Sequence, residues 1–353
     1  MGLSQYIFYN TEFQFVSGLN ITGIEDRNFD IKIFKSETKA TDNWQDVPFE
    51  ISYIYNNATV LFDRPVNNYQ FRIDLVSANS SSFQFNFKFQ QPLSKADIID
   101  YVSTKHIVFG GCARDCQENI LSSLENLSKL GKIFKKYEIV IFENDSNDKT
   151  LEILNKHTDE LPLTIISEKD LDKVFVTRTQ RLSYARNQIF DQIKLRDPDY
   201  HCIADMDGVL GADLSLDTFL TNFSMPDVWD AVFPVNEKLY YDVWAFRHKN
   251  IYSNDYMREV ENFHPQFSYQ DALNINLRSI AALDYQNLRG WLRVESAFGG
   301  MGIYNTKFFR NCRYFGISGP HEICEHVAFH TMANKAGGAL YINPAFKLNS
   351  LLI

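Results

Sequence analysis

The sequence predicts an α/β protein with a mostly parallel sheet flanked by helices, preceded by an all-β, sandwich-like region. Two textures predict it. From Lys105 onward, short apolar runs alternate with stretches of helical period, the succession that builds a parallel sheet between helix layers. Before that, apolar and polar residues alternate with period two, the mark of strands with one buried face. At 353 residues, with 45% hydrophobic and 22% charged residues, the chain is long enough for two domains and a large core. The expected division is a β accessory domain at 1–95, a linker at 96–104 and an α/β domain at 105–353.

In the first region, Phe83–Phe89 alternates aromatic and polar residues, and Phe71–Leu75 and Phe29–Ile33 repeat the pattern. Asn56-Asn57 and Asn67-Asn68 interrupt apolar runs where turns are expected. Such a module serves packing or assembly, or glycan binding. In the second region the strands are expected at Ile107–Gly111, Glu138–Phe142, Leu163–Ile166 and His201–Ala204, with Trp229–Val235 and Gly302–Tyr304 to follow. Helices are expected from Ile120, at Lys149–Lys156 and Arg181–Ile193, and at Glu322–Asn334, stopped by Gly337-Gly338.

Composition narrows the function. A net charge of −9 argues against a nucleic-acid binder, which needs a basic face. No run approaches the roughly 18 apolar residues of a membrane span. The first residues lack the basic-then-apolar pattern of a secretory leader, so a cytoplasmic location is expected. Five cysteines form no metal-type pair of pairs, and their odd count disfavours a disulfide framework. There is no dinucleotide fingerprint and no phosphate-binding glycine loop of the Walker type.

The most telling stretch is Cys202-Ile203-Ala204-Asp205-Met206-Asp207, an apolar strand ending in two carboxylates one residue apart. Positions i and i+2 share a side of a strand, and ligands of open α/β sheets sit at the strands' C-terminal ends. Two hard anionic oxygen donors there suit Mg²⁺ or Mn²⁺ carrying a phosphorylated substrate; a plain strand-to-loop corner also accommodates Asp. The strand Ile139–Phe142 likewise runs into an acidic segment, Glu143–Thr150, able to accept hydrogen bonds from sugar hydroxyls or a base edge, although Asp148 also suits a helix cap. Arg178, Arg181, Arg186 and Asn187 cluster ahead of the paired aspartates, and guanidinium groups suit a diphosphate.

Together these segments resemble the nucleotide-sugar-dependent glycosyltransferases of the GT-A fold, in particular their family-2-like group. Glu143–Thr150 is similar to that group's acidic segment, whose Asp residues hold the nucleoside. Ala185-Arg186-Asn187 is similar to its Ala-Arg-Asn segment, and Asp205-Met206-Asp207 to its Asp-x-Asp, which coordinates Mn²⁺ or Mg²⁺ bridging the donor diphosphate. Tyr241–Arg247 and Ser296–Gly300 resemble a branch that includes fungal capsule-associated mannosyltransferases. The resemblance covers about residues 105–345 and implies transfer of a hexose from a GDP- or UDP-sugar to a glycan hydroxyl. It implies Asp205 and Asp207 on the metal, Asp145 on the nucleoside, and Arg181, Arg186, Asn187 and Asp205 around the donor. Asp242, Trp244, Arg247, Gly299 and Gly300 line the acceptor cleft in this reading.

An inverting transfer needs a base at the acceptor hydroxyl. Glu325-His326-Val327 resembles the family's Glu-Asp-Val segment, with His in place of the Asp that acts as base, so Glu325 is the expected base and Glu322 the other candidate; a helix N-terminal carboxylate is the plain alternative. His326 and His330 stand four apart on one helical face, and a C-terminal His completes the metal shell in many GT-A enzymes, which makes His330 a candidate ligand. Tyr241, Trp244, Trp291 and Phe298 offer apolar walls for sugar faces, or ordinary core. Two rival readings remain: Asp205–Leu210 also resembles the opening motif of haloacid-dehalogenase-type phosphatases, with Asp205 as nucleophile, and a catalytically silent glycan-binding protein would keep the same fold.

Overall fold

In the computed structural model, residues 2–10, 14–22, 29–36, 44–54, 57–68, 70–77, 83–210, 214–236, 242–264, 266, 268, 270–272 and 290–348 are described. They form two compact units, 1–92 with 225–228, and 93–224 with 229–353.

The first unit is antiparallel throughout. Strands β1 (Gly2–Tyr9), β2 (Val16–Thr22), β3 (Phe29–Ser36), β4 (Gln45–Asp46), β5 (Phe49–Ile54), β6 (Asn57–Val66), β7 (Gln70–Ser77) and β8 (Gln84–Phe89) make two four-stranded sheets, ordered β1-β7-β3-β4 and β5-β6-β2-β8. Leu19 and Ile21 from one sheet share a core with Ile33, Ile73 and Leu75 from the other, so the alternation read in the sequence is the inner face of a sandwich. Phe85 and Phe87 lie against that core, and Phe8 meets both rings at 5.2 and 5.0 Å.

The second unit opens with helix α1 (Lys95–Val102), which covers most of the stretch expected as linker and starts one residue before it. Ser94 caps it, its hydroxyl accepting from the Asp97 amide. Then come β9 (His106–Ala113), α2 (Ile120–Gly131), β10 (Lys136–Asn144), α3 (Thr150–Lys156), β11 (Leu163–Glu168), α4 (Leu171–Val174), α5 (Arg178–Arg196), β12 (Tyr200–Asp205), α6 (Leu216–Leu220), β13 (Ala231–Asn236), α7 (Tyr256–Phe263), β14 (Leu292–Arg293), β15 (Met301–Asn305), β16 (Ile317–Ser318), β17 (His321–Glu322), a helix at Glu325–Lys335 and β18 (Leu340–Leu348). The central sheet has the order β11-β10-β9-β12-β15-β13-β18-β14. Strands β9 to β12 are mutually parallel, and β15 enters antiparallel between β12 and β13. This is the expected class, a mostly parallel sheet flanked by helices. The expected helix over Glu322–Asn334 begins three residues later, because His321 and Glu322 pair with Ile317 and Ser318 as a short hairpin.

Helix α5 explains how the sheet is covered. Thr177 and Gln180 form a reciprocal capping box at its start. Ala185, Ile189 and Ile193, with Arg186 and Phe190 beside them, form the buried stripe. Ile189 and Ile203 are fully buried, a contribution of about 1.5–3 kcal/mol for each such side chain. Gly110 on β9 permits this approach: a Cβ there would stand 2.4 Å from Ile189 Cγ2 and 3.0 Å from Ile203 Cδ1.

Candidate functional site

The site forms at the C-terminal edge of the parallel strands. β9 lies between β10 and β12, with Cys112 opposite Asp205 and Ala113 opposite Glu143, so both acidic segments emerge at one end of the sheet. Asp205 closes β12 with 28% of its side chain exposed, Met206 turns inward at 1%, and Asp207 stands exposed just beyond the strand. The Asp205 amide donates to the Gly300 carbonyl at 3.0 Å, which ties the strand end to the turn 299–300. Gly299 and Gly300 have φ of +66° and +90°, where a side chain would be strained.

Arg186 reaches this edge from the buried stripe of α5. Its guanidinium pairs with Asp205 at 3.2 Å and forms an ion pair with Glu325, both charged groups of that second pair being buried. Burial pushes the Asp205 carboxyl up to about 7, with Asp207 and Asp242 adding to the rise and Arg186 and Arg178 opposing it. Burial also raises Asp242, whose carboxylate accepts from the Gly299 amide at 3.4 Å. A hard divalent cation beside Asp205 would relieve the cost of ionising its carboxyl, and Asp205 and Asp207 suffice as protein donors when phosphate and water complete the shell. Among the described residues no third His, Cys, Asp or Glu joins them in a ready-made metal cluster.

The acidic segment after β10 is held by its own chain. Glu143 is buried and accepts from Ser167 Oγ at 2.7 Å and from the Ser146 amide at 3.1 Å. Asp145 sits in the left-handed region at φ +53°, accepting from the amides of Asp170 at 2.6 Å and Leu171 at 3.2 Å. Its carboxyl lies below the usual range, first through the Asn144 side chain and then through these amides. Asp148 accepts from the amides of Gln117 and Thr150, both at 2.9 Å, and so organises the turn into α3.

Several expected residues have structural work instead. Both ring nitrogens of His330 are engaged, with Ser296 Oγ at 2.8 Å and Tyr304 Oη at 3.1 Å, and burial holds its pKa down near 3. This side chain is core and would lose both bonds by turning to a metal. Arg181 donates to the carbonyls of Phe175 and Val176. Asn187 exchanges hydrogen bonds with the backbone of Tyr314 at 2.9 and 3.0 Å. Arg247 is buried, paired with Asp255 at 2.7 Å and bonded to the carbonyls of Trp244 and Phe246. The Trp244 indole N–H is donated to Asp255 at 3.1 Å, which leaves the ring half-buried with its polar edge committed.

Glu325 is 4% exposed against Arg186, so its charge is already matched. His326 is stacked on Phe298 at 3.7 Å with Tyr314 across its edge, and burial, Arg186 and His330 drive its pKa well below the ordinary value. Glu322 lies on the hairpin and accepts from Thr179 Oγ1 at 2.8 Å. Phe298 is buried beneath Arg186, with the guanidinium 5.4 Å from its ring centre. Tyr241 lies outside the described residues. Sequence reasoning missed Asp255, which caps α7 and organises Trp244 and Arg247; an Asp before the run Tyr256–Phe263 was the available signal.

Residues 112–283 match the model of glycosyl transferase family 2, a segment that contains the acidic turn, α5 and the paired aspartates. No curated protein matches the chain. Similar solved structures include a mannosyltransferase from Pyrobaculum calidifontis in complex with GDP-Man and Mn²⁺ (13% identity, 71% of this chain and 58% of that one, TM-score 0.45). TarS 1–349 of S. aureus in complex with UDP-GlcNAc is another (12%, 69% and 57%, 0.40). A third is glucosyl-3-phosphoglycerate synthase from Mycobacterium tuberculosis in complex with Mn²⁺, UDP and glucosyl-3-phosphoglycerate (10%, 74% and 77%, 0.40). The chain covers less than two thirds of the length of the first two.

Proposed function

We propose that the chain is a glycosyltransferase that uses a nucleoside-diphosphate sugar and a divalent cation, Mn²⁺ or Mg²⁺, to glycosylate a hydroxyl acceptor. The observation that carries the reading is the pair Asp205 and Asp207 at the end of β12, inside the segment that matches glycosyl transferase family 2. A bound cation would supply charge neutralisation for the departing diphosphate. The chain's own residues prepare that place. Asp205 and Asp207 would hold the cation, and Arg186, fixed between Asp205 and Glu325, orients the first carboxylate. Arg178, exposed at the start of α5, adds positive potential over Asp205 and Asp242. Asp145 and its turn form the nucleoside side, and Asp242, with the turn 299–300, receives the acceptor hydroxyl. Glu325, the sequence's candidate for the base, acts in this proposal as the counter-ion that keeps Arg186 in place. A hexose donor is the expectation from the sequence resemblance.

The test is a thermal-shift screen of GDP, UDP and their hexose conjugates with and without Mn²⁺. One nucleotide is expected to raise Tm only when the cation is present, with about 2.7 kcal/mol gained at a hundred times Kd. Asp207→Asn should abolish the cation-dependent part while leaving the unliganded Tm near its starting value. No stabilisation by any nucleoside diphosphate with Mn²⁺, alongside hydrolysis of p-nitrophenyl phosphate, would overturn the proposal in favour of the phosphatase reading.

A further inference from the structure

A second concave region lies in the α/β unit, walled by the start of α5, the turn at Trp244, helix α7 and the β16–β17 hairpin, with a volume of about 550 Å³. Two guanidinium groups from separate helices line it, Arg178 on α5 and Arg258 on α7, both exposed. Neither side chain has a hydrogen-bond or ion-pair partner among the described residues, whereas Arg181, Arg186 and Arg247 are all committed. Two of the cleft's carboxylates are spoken for: Asp255 by Arg247 and Trp244, and Glu322 by Thr179. Glu261, one turn beyond Arg258, is the third. The half-buried Trp244 and Met257 supply apolar surface beside these charges. The cleft adjoins the reaction edge through the turn Val243–Ala245, which carries the lining residue Trp244 and is preceded directly by Asp242.

We propose that this cleft takes the acceptor, and that the acceptor carries an anionic group, a phosphate or a carboxylate, next to a sugar ring. The inference rests on the glycosyl-transfer reading and adds a substrate class to it. A sugar ring presents one apolar face, which Trp244 and Met257 can cover. The guanidinium forks of Arg178 and Arg258 match a planar or tetrahedral oxyanion. Glu261 then accepts from a ring hydroxyl, which keeps a bare polyanion from being the preferred occupant.

The test is calorimetric titration of glucose, glucose 6-phosphate and glucuronic acid into the full chain, without metal or nucleotide. At least one anionic sugar is expected to bind about tenfold tighter than glucose, the worth of one charge-assisted contact. Which of the two gains identifies the oxyanion. Arg258→Gln should close the gap while the unliganded Tm moves little, as for most surface substitutions; Arg178→Gln provides a second variant read the same way. Equal binding of glucose and both anions would overturn the proposal. So would displacement of glucose 6-phosphate by a nucleoside diphosphate, which would make the cleft part of the donor site. Anionic sugars held in the cleft by a chain that no nucleoside diphosphate stabilises with Mn²⁺ would instead sink the transfer reaction, and the acceptor role with it.

Discussion

Arg186 shows how much a single residue's place on a helix decides. It falls on the buried stripe of α5 between Ala185 and Ile189, where an aliphatic residue would be the ordinary choice. Its charge is tolerated there because two carboxylates meet it, Asp205 and Glu325. Removing one partner from a buried pair strands the other, at a cost of about 3–5 kcal/mol. Arg186→Met should therefore destabilise the chain by that amount in urea unfolding, and adding Glu325→Gln should return a large part of the loss. Equal stability of the two variants would show that Glu325 is not the group left stranded. The sequence made Arg186 visible as part of a cationic cluster, but it could not separate this side chain from Arg181 and Arg178. Those three differ in what their neighbours already offer: backbone carbonyls for Arg181, carboxylates for Arg186, and no hydrogen-bond or ion-pair partner among the described residues for Arg178. The carboxylates that meet Arg186 come from distant segments, which no local pattern encodes.

At the scale of elements, periodicity carried the parallel strands and α5 to within a few residues, and β9, β10, β12 and α5 each bury a run of apolar residues. It failed where an element is defined by its partner. The hairpin β16–β17 is two residues on each side and exists through the pairing of Ile317 with Glu322. Helix α1 is short and falls mostly in the stretch expected as linker, 96–104, with its capping serine just ahead of it. The contact of α5 with β9 and β12 offers a direct check of how tightly these layers are fitted. Gly110→Ala forces a methyl into Ile189 and Ile203 and should cost about 1–3 kcal/mol by overpacking. Pairing it with Ile189→Ala should recover part of that in a double-mutant cycle, since contacting sites are not additive. Additive losses would mean that the helix yields elsewhere.

For the whole molecule, buried titratable groups set an acid limit. His201 and His330 are held near pKa 3 by burial, and His326 is held well below its ordinary value. Below about pH 6.5 the unfolded chain binds protons that these folded imidazoles refuse, so stability falls as pH falls. Asp205 works in the opposite sense: its folded pKa of about 7 lies above the unfolded value, so between pH 4 and 7 the folded chain holds the extra proton and stability rises on acidification. Asp242, also raised by burial, acts in the same sense as Asp205, and three histidines outweigh these two aspartates. Melting temperatures of the metal-free chain should drop from pH 6.5 downward, and Asp205→Asn should steepen the drop by removing one of the two opposing carboxyls, the other being Asp242. An unchanged slope in that variant would show that Asp205 ionises normally. For the proposed cation site, the same rise predicts tighter binding toward pH 7, because the Asp205 carboxylate must first release its proton.

The bond from the Asp205 amide to the Gly300 carbonyl gives this edge of the sheet a mechanical link. The turn that carries Gly300 also presents the Gly299 amide to Asp242, so one small stretch of backbone holds the Asp205 amide on one side and the Asp242 carboxylate on the other. Whatever enters from the Asp242 side and shifts that stretch will tug on the end of β12. Occupancy on one flank thus becomes geometry on the other, with two adjacent glycines as the hinge pin.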